Sequence, residues 1–167
     1  YMQLYTKHIL YKVLLKDMPK DATVYTAITS ADLYPADDWN FVFGQASIKK
    51  RVGVSSIHRL TYPDIDKNNY HMLLKRIVRT CTHETCHMFG ILHCKDYKCL
   101  MNGSNHLPEA DSKPMYLCPE CLAKLIWCTK QDVNERFDKL QEFFTKHGYL
   151  KESEFMMRSK ELFNSAN

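Results

Sequence analysis

Hydrophobic and polar positions along the chain fall into three regimes. From residue 2 to 16, Leu4, Ile9, Val13 and Leu14 recur among Lys and Tyr, which predicts a first helix closed by Pro19 and Asp21. Alternation then takes over. The segments 22–30, 40–47 and 52–60 are short and rich in Val, Ile, Thr, Tyr and Phe, the composition of strands in a mixed sheet. After a loop at Tyr62-Pro63-Asp64, helical spacing returns with Tyr70, Leu73, Leu74, Ile77, Val78 and Cys81, and it runs directly into His83. Residues 102–117 hold Gly, Asn, Ser and two Pro with little periodicity, which predicts an ordered loop. From Pro119 the pattern is helical to His147-Gly148, with a shorter helix near 152–163. No internal repeat or low-complexity tract interrupts it.

These elements give an α+β chain: a mixed twisted sheet, a long helix ending in a histidine-rich segment, and a helical C-terminal part. With 167 residues and 45% hydrophobic content the chain can bury one core, so a single domain is expected, with subdomains at 1–90 and 91–167. The net charge of +4 changes little, because the basic clusters Lys49-Lys50-Arg51 and Lys75-Arg76 are small and read as solvated faces. A nucleic-acid footprint is not expected, and no apolar run is long enough to span a membrane. The N-terminus lacks a basic-then-apolar signal pattern, which points to an intracellular protein of cytoplasm or nucleus.

The strongest chemical signal is His83-Glu84-Thr85-Cys86-His87-Met88-Phe89-Gly90-Ile91-Leu92-His93, the pattern H-E-x-x-H-x-x-G-x-x-H. Residues four apart share a helix face, so His83 and His87 can aim at one cation from a single turn. Gly90 can take positive φ and end the helix, letting the chain return so that His93 supplies a third nitrogen. Glu84 projects from a neighbouring position, where its carboxylate can reach a water and act as general base. Three ligands and one open position describe a catalytic zinc site. Chance is a poor rival: with eight His and five Gly, a random match has a probability on the order of 10⁻⁴ or less.

The second signal follows at once. Cys94 and Cys99, then Cys118 and Cys121, form two short thiol clusters that read as a closed, structural zinc site, so two Zn²⁺ per chain are expected. A disulfide framework suits small secreted chains better than one with seven cysteines and no signal sequence. A redox reading of Cys118-Pro119-Glu120-Cys121 would need a βαβ context, which the flanking loop and helix do not offer. Because Cys94 adjoins His93, the two sites should share one stretch of backbone. Cys81, Cys86 and Cys128 are expected to be buried as small apolar side chains.

The run from His83 to Cys121, with the third His followed directly by Cys, then C-x4-C-x-M and a later C-x-x-C, resembles the archaemetzincins, a family of metzincin-like zinc metallopeptidases with a second, four-cysteine zinc site. Asp32-Leu33-Tyr34-Pro35, the segment Trp39 to Ser47 and Met101-Asn102-Gly103-Ser104-Asn105-His106 resemble the vertebrate members of that family. The resemblance implies His83, His87 and His93 as ligands of a catalytic zinc, Glu84 as general base, Cys94, Cys99, Cys118 and Cys121 on a structural zinc, and Met101 in the turn beneath the site. It implies a peptide or protein substrate, with aminopeptidase-like action on small peptides. Family members open with a strand before the first helix; none is evident here, so a shortened N-terminus is expected. Val52 to Arg59 is the expected edge strand for an extended substrate. Tyr97, His106 and Tyr116 lie near the motif in sequence without a role assigned to them. The competing reading is a catalytically silent zinc-binding scaffold of the same fold.

Overall fold

The computed structural model describes residues 2–61, 64 and 66–166; Tyr62 and Pro63 of the expected loop lie outside them. The chain opens with a strand, β1 (Gln3–Tyr5), paired in parallel with β3 (Asp32–Tyr34) in the register Leu4 opposite Leu33. Here the structure corrects the sequence reading, which placed these residues in the first helix and expected the leading strand to be missing. Three residues are too few to show a period of two.

The helical segment α1 (6–17) follows, its middle six residues, Ile9–Leu14, wound as a π-helix. Leu10 and Leu14 point from it into a core with Leu33, Val52 and Val54, all nearly sealed from solvent. Each such side chain contributes roughly 1.5–3 kcal/mol through burial.

β2 (Tyr25–Thr29) pairs in parallel with β5 (Val52–Ser56), and β4 (Gly44–Ser47) pairs antiparallel on the other side of β5, giving the order β2-β5-β4. β5 is therefore the central strand, buried along its whole length, and the expectation that Val52 to Arg59 forms an edge is overturned. Val, Gly and Ser in sequence do not reveal which side of a strand is hydrogen-bonded. The edge is β4. β5 also stops at Ser56, and His58–Leu60 form a 3₁₀ turn.

Helix α2 (Tyr70–Met88) packs across β4 and β5, with Met88 Cε only 3.3 Å from where a Cβ on Gly53 would stand. Beyond it the chain is helical: α3 (Leu107–Ser112) inside the expected loop, then α4 (Pro119–Thr129), α5 (Val133–Lys146) and α6 (Leu150–Ser165). The single long helix expected from Pro119 is broken where Lys130 takes φ +56°, and Asp132 caps α5 by accepting from the Glu135 N–H at 2.7 Å. Met115, Phe137, Phe144, Tyr149 and Met156 form the core of this half. Among the described residues no helix is long and apolar enough to cross a membrane.

Candidate functional site

The last turns of α2 carry His83, Glu84 and His87. The helix ends in a Schellman motif: the Ile91 N–H donates to the Cys86 carbonyl at 3.2 Å, the Gly90 N–H donates to the His87 carbonyl at 2.9 Å, and Gly90 takes φ +85°. This reversal returns His93 to the other two imidazoles. His83 Nε2 lies 3.1 Å from His87 Nε2 and 3.3 Å from His93 Nε2.

The outer nitrogens decide what those inner ones can do. His83 Nδ1–H donates to the Leu100 carbonyl at 2.9 Å and His87 Nδ1–H to the Ile91 carbonyl at 2.6 Å. A carbonyl can only accept, so both rings carry their proton on Nδ1 and turn an Nε2 lone pair inward. Burial, reinforced by the Lys113 charge, pushes the His83 pKa down to about 3 and lowers His87 and His93 as well, so all three are neutral at pH 7. Facing lone pairs repel unless a cation joins them. Two nitrogens about 2.0–2.1 Å from one tetrahedral zinc stand roughly 3.3–3.4 Å apart, and the observed spacings fit.

Glu84 is buried beside them, with burial pushing its pKa up to about 8 against the opposing pull of the Lys113 charge. Its side chain packs over Gly44 at the start of β4, where a Cβ would come within 2.7 Å of Glu84 Cγ.

The four thiols also converge. Cys94, Cys99, Cys118 and Cys121 are free, their Sγ atoms all lie within 4.8 Å of one another, and Cys94 Sγ is 3.9 Å from Cys118 Sγ. Sulfurs about 2.3 Å from a tetrahedral zinc are roughly 3.8 Å apart. The N–H groups of Cys118 and Met101 donate to Cys99 Sγ at 3.2 and 3.4 Å and offset part of the burial that raises its thiol pKa. One segment links the two clusters: the Leu100 carbonyl holds His83, the Met101 carbonyl accepts from the Cys94 N–H at 2.9 Å, and Asn102 Nδ2 donates to the carbonyls of Cys94 and Tyr97. Met101 is fully buried in the core around these thiols. Cys86 is buried there as expected, but Cys128 is exposed near the end of α4, because the apolar run around it has one solvent face.

The three residues left without a role behave as packing or surface groups. Tyr97 is exposed, His106 caps α3 by accepting from the Glu109 N–H, and Tyr116 stacks on Phe155 with ring centroids 3.6 Å apart.

Beside His83, Glu84 and His93 opens a cavity of about 460 Å³. Trp39, Phe41 and Phe43 form one wall and Arg76, Arg79 and Lys113 another. Asp111 holds both arginines, with Arg76 Nη2 2.6 Å from Asp111 Oδ2 and Arg79 Nη1 3.4 Å from Asp111 Oδ1. Lys113 Nζ donates to the Asn102 carbonyl at 2.9 Å, and burial, with the neighbouring Arg79 charge, pushes its pKa down to about 8. Sequence alone gives none of these groups a role in the site: Trp39, Phe41 and Phe43 stand only in the segment that carries the family resemblance, and Arg76, read as part of a solvated basic cluster, is buried. Arg76 and Arg79 carried a signal, standing seven and four residues before His83 on nearly the same helix face; Gly44, Lys113 and Asp111 carried none.

A sequence profile of peptidase family M54 matches residues 5–126. Over 165 aligned residues the chain is 41% identical to archaemetzincin-2 of Homo sapiens, covering 83% of this chain and 46% of that protein. It is 42% identical over 106 residues to an archaemetzincin of Thermococcus kodakarensis, covering 63% and 56%. The chain thus spans about half the length of the curated relatives it matches. Among solved structures, the archaemetzincin of Methanopyrus kandleri superposes with a TM-score of 0.67 at 36% identity, covering 77% of this chain and 67% of that one. That of Archaeoglobus fulgidus, crystallised with malonate, gives 0.60 at 32% identity, covering 73% and 69%.

Proposed function

The chain belongs to peptidase family M54, the archaemetzincins, and we propose that it is a zinc metallopeptidase in which His83, His87 and His93 hold the catalytic ion and Glu84 is the general base. The observation that carries this reading is the convergence of three Nε2 lone pairs, two of them fixed by carbonyls, beside a buried carboxyl group.

A zinc ion held there supplies Lewis acidity, lowering the pKa of a water, polarising a peptide carbonyl and drawing Glu84 toward its carboxylate form. Glu84 then accepts the proton of the attacking water and returns it to the departing amine. Gly44 keeps the space over that carboxyl group open. β4, the edge strand beside α2, offers its unpaired backbone groups to an extended peptide, and an antiparallel ladder is the more stable arrangement. Cys94, Cys99, Cys118 and Cys121 hold a second, structural zinc that fixes the 94–102 loop.

The partner is a peptide or protein and not a nucleic acid or a membrane. Cleavage near the N-terminus of small peptides rests on the family resemblance. The subdomains 1–90 and 91–167 act as one catalytic unit, since ligands come from both. Seven free thiols suit a reducing compartment, cytoplasm or nucleus. A silent scaffold of the same fold would gain nothing from a buried Glu84 kept clear by a residue without a side chain.

Metal analysis by mass spectrometry, combined with peptide-library cleavage, tests the proposal. Two zincs in both wild type and Glu84→Ala, with cleavage by wild type only, is the expected result; unchanged cleavage by the variant refutes it.

A further inference from the structure

The direction of β4 determines which part of a substrate meets the cavity. Gly44 stands over Glu84, while Ala46 pairs with Gly53, whose Cα region abuts Met88 one turn further along α2. β4 and α2 therefore run the same way. A peptide lying antiparallel to β4 leads its C-terminal part away from Glu84 toward the residues that precede β4 and the earlier turns of α2. Those residues, Trp39, Phe41, Phe43, Thr80, Arg79 and Arg76, line the cavity. The cavity thus receives the residue on the C-terminal side of the cleaved bond.

Its charges are unevenly matched. Arg76 and Arg79, both buried, share the carboxylate of Asp111, and further N–H groups donate to the carbonyls of Leu60 and Ala110 at 2.8 and 3.0 Å. Lys113, on the same wall, makes no salt bridge among the described residues. Its hydrogen bond goes to a backbone carbonyl. Of the acidic groups that act on it, Glu84 belongs to the reaction, Cys99 belongs to the four-thiol cluster, and Glu109 accepts from the Asn105 N–H at 2.6 Å. A half-buried ammonium whose donors are not matched by an anion is costly, and a ligand carboxylate offsets that cost.

We propose that this cavity selects a carboxylate on the C-terminal side of the scissile bond, received by Lys113 against the wall of Trp39 and Phe41. The carboxylate has two sources: an acidic side chain on the residue after the cleaved bond, or the free C-terminus of a short peptide. The inference rests on the peptidase reading, because that reading places the substrate on β4.

The test is one of binding, so that it does not depend on turnover. Zinc-loaded Glu84→Gln is titrated with fluorescent peptides differing in one group: Glu against Gln after the target bond with an amidated C-terminus, and free acid against amide at the terminus with Gln in place. At least one pair is expected to favour the acid by about tenfold in Kd, the pair identifying the source. Lys113→Met should bring the ratio to about one, and Lys113→Arg should keep most of it. Equal Kd values within both pairs, or a ratio that survives Lys113→Met, overturn the proposal. If Lys113 only anchored the Asn102 carbonyl, acid and amide peptides would weaken together, which also overturns it. The acid-to-amide ratio of the Lys113-containing protein decides the matter if Lys113→Met fails to fold. Absence of cleavage by wild type would defeat the peptidase reading while leaving this ratio measurable.

Discussion

A Cβ on Gly44 would stand 2.7 Å from Glu84 Cγ and 3.0 Å from its Cδ and Oε1. The contact joins the first residue of β4 to the carboxyl group beside the three imidazoles, so the strand sets where that carboxyl group sits. Glu84 is buried and α2 is packed on β4, which leaves it little room to yield.

Gly44→Ala should therefore act on catalysis before metal binding. Overpacking of about 1–3 kcal/mol displaces the carboxyl group, and even the lower end corresponds to several-fold in rate. The expected outcome is a fall in kcat of about tenfold or more with zinc content unchanged. A variant with wild-type kcat would show that Glu84 tolerates displacement or is not the base.

Gly90 presents the opposite case. Its φ of +85° is strained for any L side chain, yet nothing lies within 4 Å of where a Cβ would go. Gly90→Ala should cost about 1 kcal/mol through the backbone alone, lowering Tm by roughly 2–4 °C. Thermal denaturation checks this. A loss much above 10 °C would mean that the Schellman turn is coupled to His93 more tightly than the open space suggests.

The shared segment 94–102 should make the two proposed metal sites dependent on each other. Cys118→Ser should reduce bound zinc from two ions to one and also weaken the remaining site, because the Leu100 carbonyl that orients His83 is anchored beside Cys99 and Cys118. Loss of such an orienting contact typically costs 10–100-fold in metal affinity. Chelator competition measures it. Full affinity at the histidine site would show that the two clusters are independent.

What the sequence revealed follows from how the ligands are arranged along the chain. His83, Glu84 and His87 share one helix, and Gly90 and His93 complete a local turn, so spacing alone points to the proposed chemistry. The cysteines are two local pairs and equally legible. The cavity is not local: Trp39, Arg76 and Lys113 come from three separate segments, and each one alone looks like an ordinary surface or core residue. The three residues of β1 carry no periodicity and so leave no mark in the sequence, and the central place of β5 is hidden because apolar alternation does not report hydrogen-bond partners. Lys130, which breaks the C-terminal helical run at φ +56°, is a residue type that ordinarily continues a helix.

Asp32 offers the clearest dependence on pH. It is buried in β3, where it accepts from Gln3 Nε2 at 2.8 Å and from Arg59 Nε and Nη2 at 2.9 and 2.8 Å. Burial raises its pKa, but the Arg59 guanidinium and the Gln3 amide outweigh burial and hold the carboxyl below its ordinary 3.8. A depressed carboxyl pKa stabilises the fold above the unfolded value and loses that stabilisation as pH falls through the folded value. The contribution should therefore be complete at pH 5 and above, and should fade below about pH 4. Asp32→Asn should cost about 1.5–3 kcal/mol at pH 7, through the charged hydrogen bonds it removes, and much less at pH 3. The effect should extend to the candidate site, because Arg59 also stacks on Phe41, its guanidinium carbon 3.8 Å from the ring centroid, and Phe41 lines the cavity. Urea unfolding of both proteins at pH 7 and pH 3 makes the comparison. A stability difference equal at the two pH values would show that Asp32 acts through packing and not through its charge.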